Sequence, residues 1–500
     1  MIRAILILFS IAVQIAVFVF GLIIFSDKYV LFQMFMLILS IFIVIAIVSR
    51  TRNPGNKVLW IVLILAFPIL GTALYLILGH NLYRSKRLKL LFLNTNISKE
   101  YLTQDDEVLQ EIKSKDANVY SEVNYISNFA GYPIYKSNKI TYYKTGEEVY
   151  EKMKEDIKKA EKYIFLEYFT ISEGVMWQEL LSILDKKSKE GVDIRIIYDD
   201  IGSAALLPKN FNKTLKEKGI KTLCFNRLKP VVSTILNNRD HRKITVVDGK
   251  VAYCGGINIA DEYINKKVRY GYWKDCMVKV EGDAVISFTS MFFEIWNTYY
   301  EDEYSLDEYK YNFEKTENIK GYVCPYAENP LDSENVGENI YINMLNKAND
   351  YVYIFTPYLI PDTDLITALT LSAKRGVDVR IVLPGIPDKK IIYSISRSYY
   401  KVLLGSGVKI YEYMPGFLHS KVLIADDKKA VVGTFNLDYR SLYTHFECGT
   451  YIYDSDVIES IKNDAMETFE ISKVVGMNDI KTSIFRNLLN AFLRLFAPLL

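Results

Sequence analysis

Histidine is scarce in this chain: there are four in 500 residues, His80, His241, His419 and His445. Cysteine is nearly as rare. The five, Cys224, Cys254, Cys276, Cys324 and Cys448, are odd in number and irregularly spaced, and none forms a C-x-x-C pair. That spacing speaks against both a disulfide framework and a zinc site, and it reads as reduced structural thiols facing a cytoplasm. An excess of charge of one sign is also missing. With 61 Lys and Arg against 59 Asp and Glu, the net charge is +2. This balance gives no sign of the strongly basic face of a nucleic-acid binder, and nucleic acid is not an expected partner.

The first eighty residues are almost entirely hydrophobic, and their apolar runs lack charge. Three apolar runs, about Ile5 to Phe25, Leu31 to Val48 and Val58 to Leu78, each reach or nearly reach the roughly 20 residues that span a bilayer core. No small-x-small cleavage site follows the first run, which argues against a signal peptide. Basic residues cluster at Arg50, Arg52 and Lys57 and again at Arg84, Lys86, Arg87 and Lys89. The positive-inside rule places both clusters in the cytoplasm. They share one side only if the third run does not cross, and Pro68 and Gly71 interrupt it in a way that lets it bend or dip back. The expectation is therefore a multi-pass membrane region over residues 1–80, with two full spans, a kinked or re-entrant third segment and a cytoplasmic catalytic part. An ordinary third span with a basic loop outside is the alternative.

A polar linker is expected over residues 81–135, and beyond it the chain repeats itself. Tyr163-Ile-Phe-Leu-Glu-Tyr168 returns as Tyr353-Ile-Phe-Thr-Pro-Tyr358, and Gly191-Val-Asp-Ile-Arg195 returns as Gly376-Val-Asp-Val-Arg380. The order is kept while the separation shrinks along the chain, as in two homologous halves with different loops. The halves are placed at 136–315 and 316–480. β-Branched or aromatic runs at Tyr163–Phe169, Asp193–Tyr198, Lys243–Val247 and Val251–Cys254 read as strands. Val175–Ser188 and Leu365–Lys374 show helical spacing and close on Gly191 and Gly376. Strands alternating with helices predict an α/β unit, and two such units face to face would share one site at their junction. From Ile484, Phe, Leu and Ala are broken by Arg486 and Arg494. Residues 481–500 read as an amphipathic tail suited to lie on a membrane or to pack against the globular body.

Two of the four histidines open the same pattern. His241-x-Lys243-x4-Asp248 continues to Gly255, Gly256 and Asn258; His419-x-Lys421-x4-Asp426 continues to Gly433, Thr434 and Asn436 with identical spacing. Residues two apart in a strand share a face, so each His and Lys point the same way, and the turn at the glycines brings the Asn back towards them. A metal fits poorly, because an ammonium between His and Asp repels a cation. Two histidines with two lysines suit an anion, and a phosphodiester fits best. Its displacement needs a nucleophile, an acid for the leaving oxygen and positive groups around the phosphoryl oxygens. One histidine attacks as neutral imidazole, with His241 favoured, and the other serves as acid and then base. Lys243, Lys421, Asn258 and Asn436 would hold the non-bridging oxygens, and no metal or cofactor is required.

The two segments resemble the paired HKD motifs of the phospholipase D superfamily over roughly residues 140 to 475. The surroundings, from Asn238 to Gly249 and from Pro415 to Asp426, are similar to bacterial cardiolipin synthases. So are Phe67 to Gly71, Tyr75 to Gly79 and the closing Ala497-Pro-Leu-Leu500. The resemblance implies a fold of two phospholipase D-like α/β halves around one active site, preceded by transmembrane helices. It implies transfer of a phosphatidyl group between two phosphatidylglycerol molecules, giving cardiolipin and glycerol through a phospho-histidine, with His241, Lys243, Asp248, His419, Lys421 and Asp426 as catalytic residues. A hydrolase, or a transferase to another alcohol, shares the same first step. The resemblance further implies that an acidic residue downstream of each motif orients that motif's own histidine: Asp275 in the first half and Glu447 in the second. The chain departs from the family pattern at His445, where Asn is usual, and at Thr434, where Ser is common.

Overall fold

A computed structural model describes residues 29–49, 54–76, 90–95, 101–227, 238–300, 306–313, 319–332, 334–480 and 483–494. Two sheets dominate. In the first, β1 (Lys139–Tyr143), β2 (Tyr163–Tyr168), β3 (Asp193–Asp199), β4 (Lys221–Phe225), β5 (Lys243–Val247), β6 (Val251–Gly255) and β7 (Met277–Glu281) lie in the order β1-β7-β6-β5-β2-β3-β4. The second contains β8 (Tyr322–Glu328), β9 (Tyr351–Phe355), β10 (Asp378–Pro384), β11 (Lys409–Tyr413), β12 (Val422–Ala425), β13 (Lys429–Gly433) and β14 (Glu447–Tyr453). Its order is β8-β14-β13-β12-β9-β10-β11, with a short strand added at each edge. The orders match strand for strand, and so do the directions: β2 and β9 are each parallel to the next strand in sequence and antiparallel to β5 or β12. The repeat read from the sequence is thus a repeat of topology.

Local chemistry accounts for the elements. β2 and β9 are buried at every residue, as apolar strands at the centre of a covered sheet must be. The helices before β3 and β10, Val175–Lys189 and Thr363–Lys374, turn into their strands through Gly191 and Gly376 at φ +91° and +99°, a left-handed turn that only glycine makes without strain. The main core runs through both halves and includes Phe165, Val246 and Val278 with Ile354, Leu423 and Val431. At the junction Cys254 Sγ of β6 lies 3.5 Å from Cys448 Sγ of β14. All five cysteines are free and buried.

Three expectations change. First, residues 106–130 are not a linker. Helices Asp106–Lys115 and Ala117–Tyr125, capped by Asp105 and Asp116, bury Val108, Ile112, Val119 and Val123 in the main core. Glu122 there accepts from Lys429 Nζ at 2.9 Å and Tyr451 Oη at 2.6 Å. The polar residues that made the segment look like a linker line the outer face of amphipathic helices and a buried ion pair. Second, Tyr135–Lys136 pairs with β8, so the start of the first half, placed at 136, falls inside a strand of the second sheet.

Third, among the described residues no helix is long and apolar enough to cross a membrane. The expected run Ile5 to Phe25 lies outside the described residues, as do Arg50, Arg52, His80, the second basic cluster and the last six residues. The second expected run is helix α1 (Tyr29–Val48), and the third is divided into α2 (Pro54–Ala66) and α3 (Pro68–Leu74). The break at Phe67 follows from Pro68, which cannot donate to a continuing helix. A Cβ on Gly71 would come within 2.3 Å of the Leu63 carbonyl oxygen, so only glycine lets α3 fold back so closely on α2. The three helices touch through Ile47, Ile64 and Tyr75 and leave Phe35, Phe42, Ile45 and Leu65 exposed.

Candidate active site

Each histidine reaches the junction on a short ribbon made with the other half. The parallel strands Gly416–Leu418 and Tyr272–Lys274 pair, and the ribbon ends with the His419 N–H donating to the Lys274 carbonyl at 2.7 Å. In the pseudo-symmetric place, Asp240 bridges Phe446, and the His241 N–H donates to the Phe446 carbonyl at 2.9 Å. These ribbons bring each histidine to the carboxylate that follows its partner segment. His241 Nδ1 lies 2.9 and 3.0 Å from the two oxygens of Glu447. His419 Nδ1 lies 2.6 Å from Asp275 Oδ2. The pairing is therefore crossed between halves, not within each half as the resemblance implied. The sequence carries no signal for the crossing, because it arises from backbone pairing across the junction.

The lysines stand beneath. Lys243 and Lys421 are fully buried; Lys243 Nζ donates to the His241 carbonyl at 2.5 Å, and Lys421 Nζ donates to the His419 carbonyl. His241 and His419 are 8% and 7% exposed. Phe169 meets the His241 ring edge-on at 4.9 Å between centroids, and Tyr263 meets His419 at 5.4 Å.

The family described as cardiolipin synthase, PLD-like domain, matches residues 153–292 and 341–468, and an N-terminal phospholipase D-nuclease family matches residues 38–80. A cardiolipin synthase of Alkalihalophilus pseudofirmus is 33% identical over 92% of both chains. The chain belongs to the cardiolipin synthase family of the phospholipase D superfamily. A cardiolipin synthase of Halalkalibacterium halodurans is 32% identical over 94% of both chains, and an uncharacterized protein of Streptococcus mutans is 48% identical over 91% of this chain and 99% of its own. Among solved structures, a phosphatidylserine synthase of Haemophilus influenzae superposes with a TM-score of 0.57 at 15% identity, over 76% of this chain and 98% of its own. That likeness carries the fold.

Not every position of the family motif reaches the pocket. The Asp248 carboxylate accepts from the backbone N–H groups of Glu161, Lys162 and Tyr163 at 2.8 to 2.9 Å. Asp426 does the same for Asn349, Asp350 and Tyr351. Both sit at φ near +53° at the tip of a hairpin, a conformation in which Asp is better tolerated than most residues. Expected as catalytic, they instead clamp the far end of β5 and β12 to the start of β2 and β9. Along each strand four residues separate Lys from Asp, so the two ends of the motif face opposite ends of the sheet. Asn258 accepts from the Thr170 N–H at 3.0 Å and donates to Tyr263 Oη at 2.7 Å, which holds the ring beside His419. Asn436 Oδ1 is buried without a hydrogen-bond partner.

Other parts were not legible beforehand. Ser441 donates to Glu447 Oε1 at 2.6 Å, completing the carboxylate's orientation. A Cβ on Gly256 would fall 2.1 Å from Asp275 Oδ1, so the second glycine of the pair, directly after β6, leaves the space that Asp275 occupies. His445 Nδ1 is 3.6 Å from Glu447 Oε1, beyond a hydrogen bond. His241, His445 and Glu447 nevertheless form a group whose donor atoms lie within 4.8 Å of one another. Glu447 is already engaged by His241 and Ser441, and the Lys243 ammonium would repel a cation there, so the donor set fits a metal poorly.

Burial shapes the charges. It pushes the Lys243 ammonium down to about 8 and Lys421 down to about 7, with Asp275 acting to raise Lys421 and Lys243 acting to lower it. Burial, with help from Lys421, brings His419 down to about 4 against the pull of Asp275. It also holds His241 well below its ordinary value, more strongly than Glu447 raises it. Burial works against ionising Glu447, but the imidazoles of His241 and His445 outweigh it and keep the carboxyl well below its usual range. Lys243 of one motif acts on His419 and Lys421 of the other, so the two copies lie within one electrostatic site.

Proposed function

We propose that this protein is a cardiolipin synthase that transfers a phosphatidyl group from one phosphatidylglycerol to a second, with His241 as nucleophile. The observation that carries this is the pair of histidines, each held at Nδ1 by a carboxylate of the opposite half, above two buried lysines. A carboxylate on Nδ1 fixes the tautomer that leaves a lone pair on Nε2. His241 Nε2 attacks phosphorus of the first phosphatidylglycerol; the bond to the glycerol oxygen breaks, and protonated His419 gives that oxygen its proton. A hydroxyl of the second headgroup then attacks phosphorus, His419 takes its proton, and the P–N bond breaks. Cardiolipin and glycerol are the products.

The charge balance supports assigning these roles. Two ammonium groups against two carboxylates leave the pocket near neutral while both imidazoles are uncharged. A phosphodiester brings one negative charge, which favours protonating an imidazole, so the acid is made when the substrate arrives. In this reading Lys243, Lys421 and the amide N–H of Asn436 stabilise the charge that develops on the phosphoryl oxygens. The apolar layer formed by α1, α2 and α3 supports a substrate drawn from the bilayer. We place residues 29–74 in the membrane with α3 turned back at Phe67, and the catalytic halves on the cytoplasmic side.

The test is the product of the purified protein with phosphatidylglycerol as sole lipid. Cardiolipin and glycerol rising in step support the transferase; phosphatidic acid as the only lipid product overturns it in favour of a hydrolase.

A further inference from the structure

The C-terminal helix is attached to the body the wrong way round for a soluble protein. α5 (Ile484–Arg494) runs alongside α4 (Lys390–Gly405). Beside Leu493, which packs against the body, two polar side chains face inward: Ser394 Oγ donates to Asn490 Oδ1 at 3.1 Å, and Arg494 Nε donates to Ser398 Oγ at 2.7 Å. The Arg494 guanidinium also covers the Tyr399 ring at 4.2 Å. Asn490 is buried, while Leu488 is 66% and Phe492 56% exposed, with Leu489 between them also exposed. An amphipathic helix normally does the reverse. Here the hydrogen bonds fix its rotation, so the apolar stripe cannot turn inward.

The surroundings say what covers it. Ile391 and Val402 of α4 are exposed as well, and neither α4 nor α5 contains a single acidic residue. Lys389, Lys390 and Lys401 are exposed along the same element. After Arg494 the sequence continues Leu495-Phe-Ala-Pro-Leu-Leu500 without a charge. Aliphatic and aromatic side chains flanked by exposed Lys390 and Lys401 suit the headgroup zone of an anionic bilayer. α4 also leads back to the pocket: Ser396 Oγ accepts from the Leu359 N–H at 3.2 Å, and Leu359–Ile360 pairs with Leu437–Asp438, directly after Asn436. We propose that α4 and α5 form a docking surface for anionic lipid, seating the mouth of the active site on the bilayer independently of the N-terminal helices.

The test uses the full chain carrying Leu489→Cys. The five native thiols are buried, so an environment-sensitive fluorophore goes to the new one. In vesicles of phosphatidylglycerol and phosphatidylethanolamine the emission should shift to the blue and be quenched by lipids bearing a nitroxide just below the headgroup. Replacing phosphatidylglycerol by phosphatidylcholine should weaken that quenching, and Phe492→Glu in the same protein should do likewise. Water-like, unquenched emission would overturn the proposal. So would a blue shift that nitroxide lipids leave unquenched, since that places a protein surface over the stripe, a second copy included. The readout needs no turnover; the docking surface can therefore fail while the transferase reading stands, and the reverse.

Discussion

At the scale of the residue, the site depends on two crossed contacts and two unusual lysines. Glu447→Gln leaves a neutral acceptor on His241 and removes the charge that fixes its tautomer; turnover should fall about 10²–10⁴-fold, the range for a lost general acid, base or orienting carboxylate. Asp275→Asn should do the same through His419, and each should be read as kcat under saturating lipid. Asp248→Asn separates a clamp from a catalyst. It keeps one oxygen for the N–H groups of residues 161–163 and tolerates the positive φ, so it should lower stability by about 1–2 kcal/mol with kcat nearly unchanged. A loss like that of Glu447→Gln would return Asp248 to the chemistry.

The lysines set a pH dependence with a defined sign. In the free protein Lys421 titrates near 7 and Lys243 near 8, so the cations that attract the phosphodiester disappear as pH rises through that interval. kcat/KM, which reports groups of the free enzyme, should decline between pH 7 and 9. The same shift bears on stability. The folded value of Lys421 lies below its ordinary 10.5, so between about 7 and 10.5 the unfolded chain binds more protons and stability rises with pH. Lys421→Met should therefore raise Tm at pH 7 while abolishing activity, and its advantage over the unaltered protein should shrink towards pH 10. An equal or lower Tm at pH 7 would mean that the buried ammonium is not held at a cost.

At the scale of the element, two ribbons and one glycine hold the site together. Gly256→Ala puts a methyl group where Asp275 Oδ1 lies. It should cost about 2 kcal/mol, as overpacking does, and lower turnover through His419. The hydrophobic runs and the paired His-Lys segments were legible in the sequence, because spacing on one strand is a local property. The alternating strands and helices of both halves were legible for the same reason. The crossing of Glu447 to His241 and of Asp275 to His419 was not, since it is set by backbone pairing between segments 206 and 144 residues apart. Nor was the end of the motif: His241 and Asp248 are close in sequence, yet an extended strand carries them to opposite ends of the sheet. The helices within 106–130 look like linker in the sequence because polar residues dominate them, though Val108, Leu109, Ile112, Val119 and Val123 are buried. If α3 turns back at Phe67, cysteines placed at 54 and 90 should react with an impermeant reagent from the same face of the membrane; labelling from opposite faces would show a full crossing.

At the scale of the whole molecule, duplication has been turned into a single centre. Each half supplies a histidine, a lysine and the carboxylate for its neighbour's histidine, so neither half holds a complete site. His241→Ala and His419→Ala should each lower activity by about 10³-fold or more, the scale of removing a nucleophile or general acid, and should not divide it in two. The most direct measurement of a shared site is acid-quench trapping of the enzyme with phosphatidylglycerol labelled in its phosphate, followed by peptide mapping. One covalent label per chain, carried on His241 and absent from His241→Ala, is the predicted result. Label on both histidines, with each single variant keeping about half the activity, would mean two independent sites and would contradict the account.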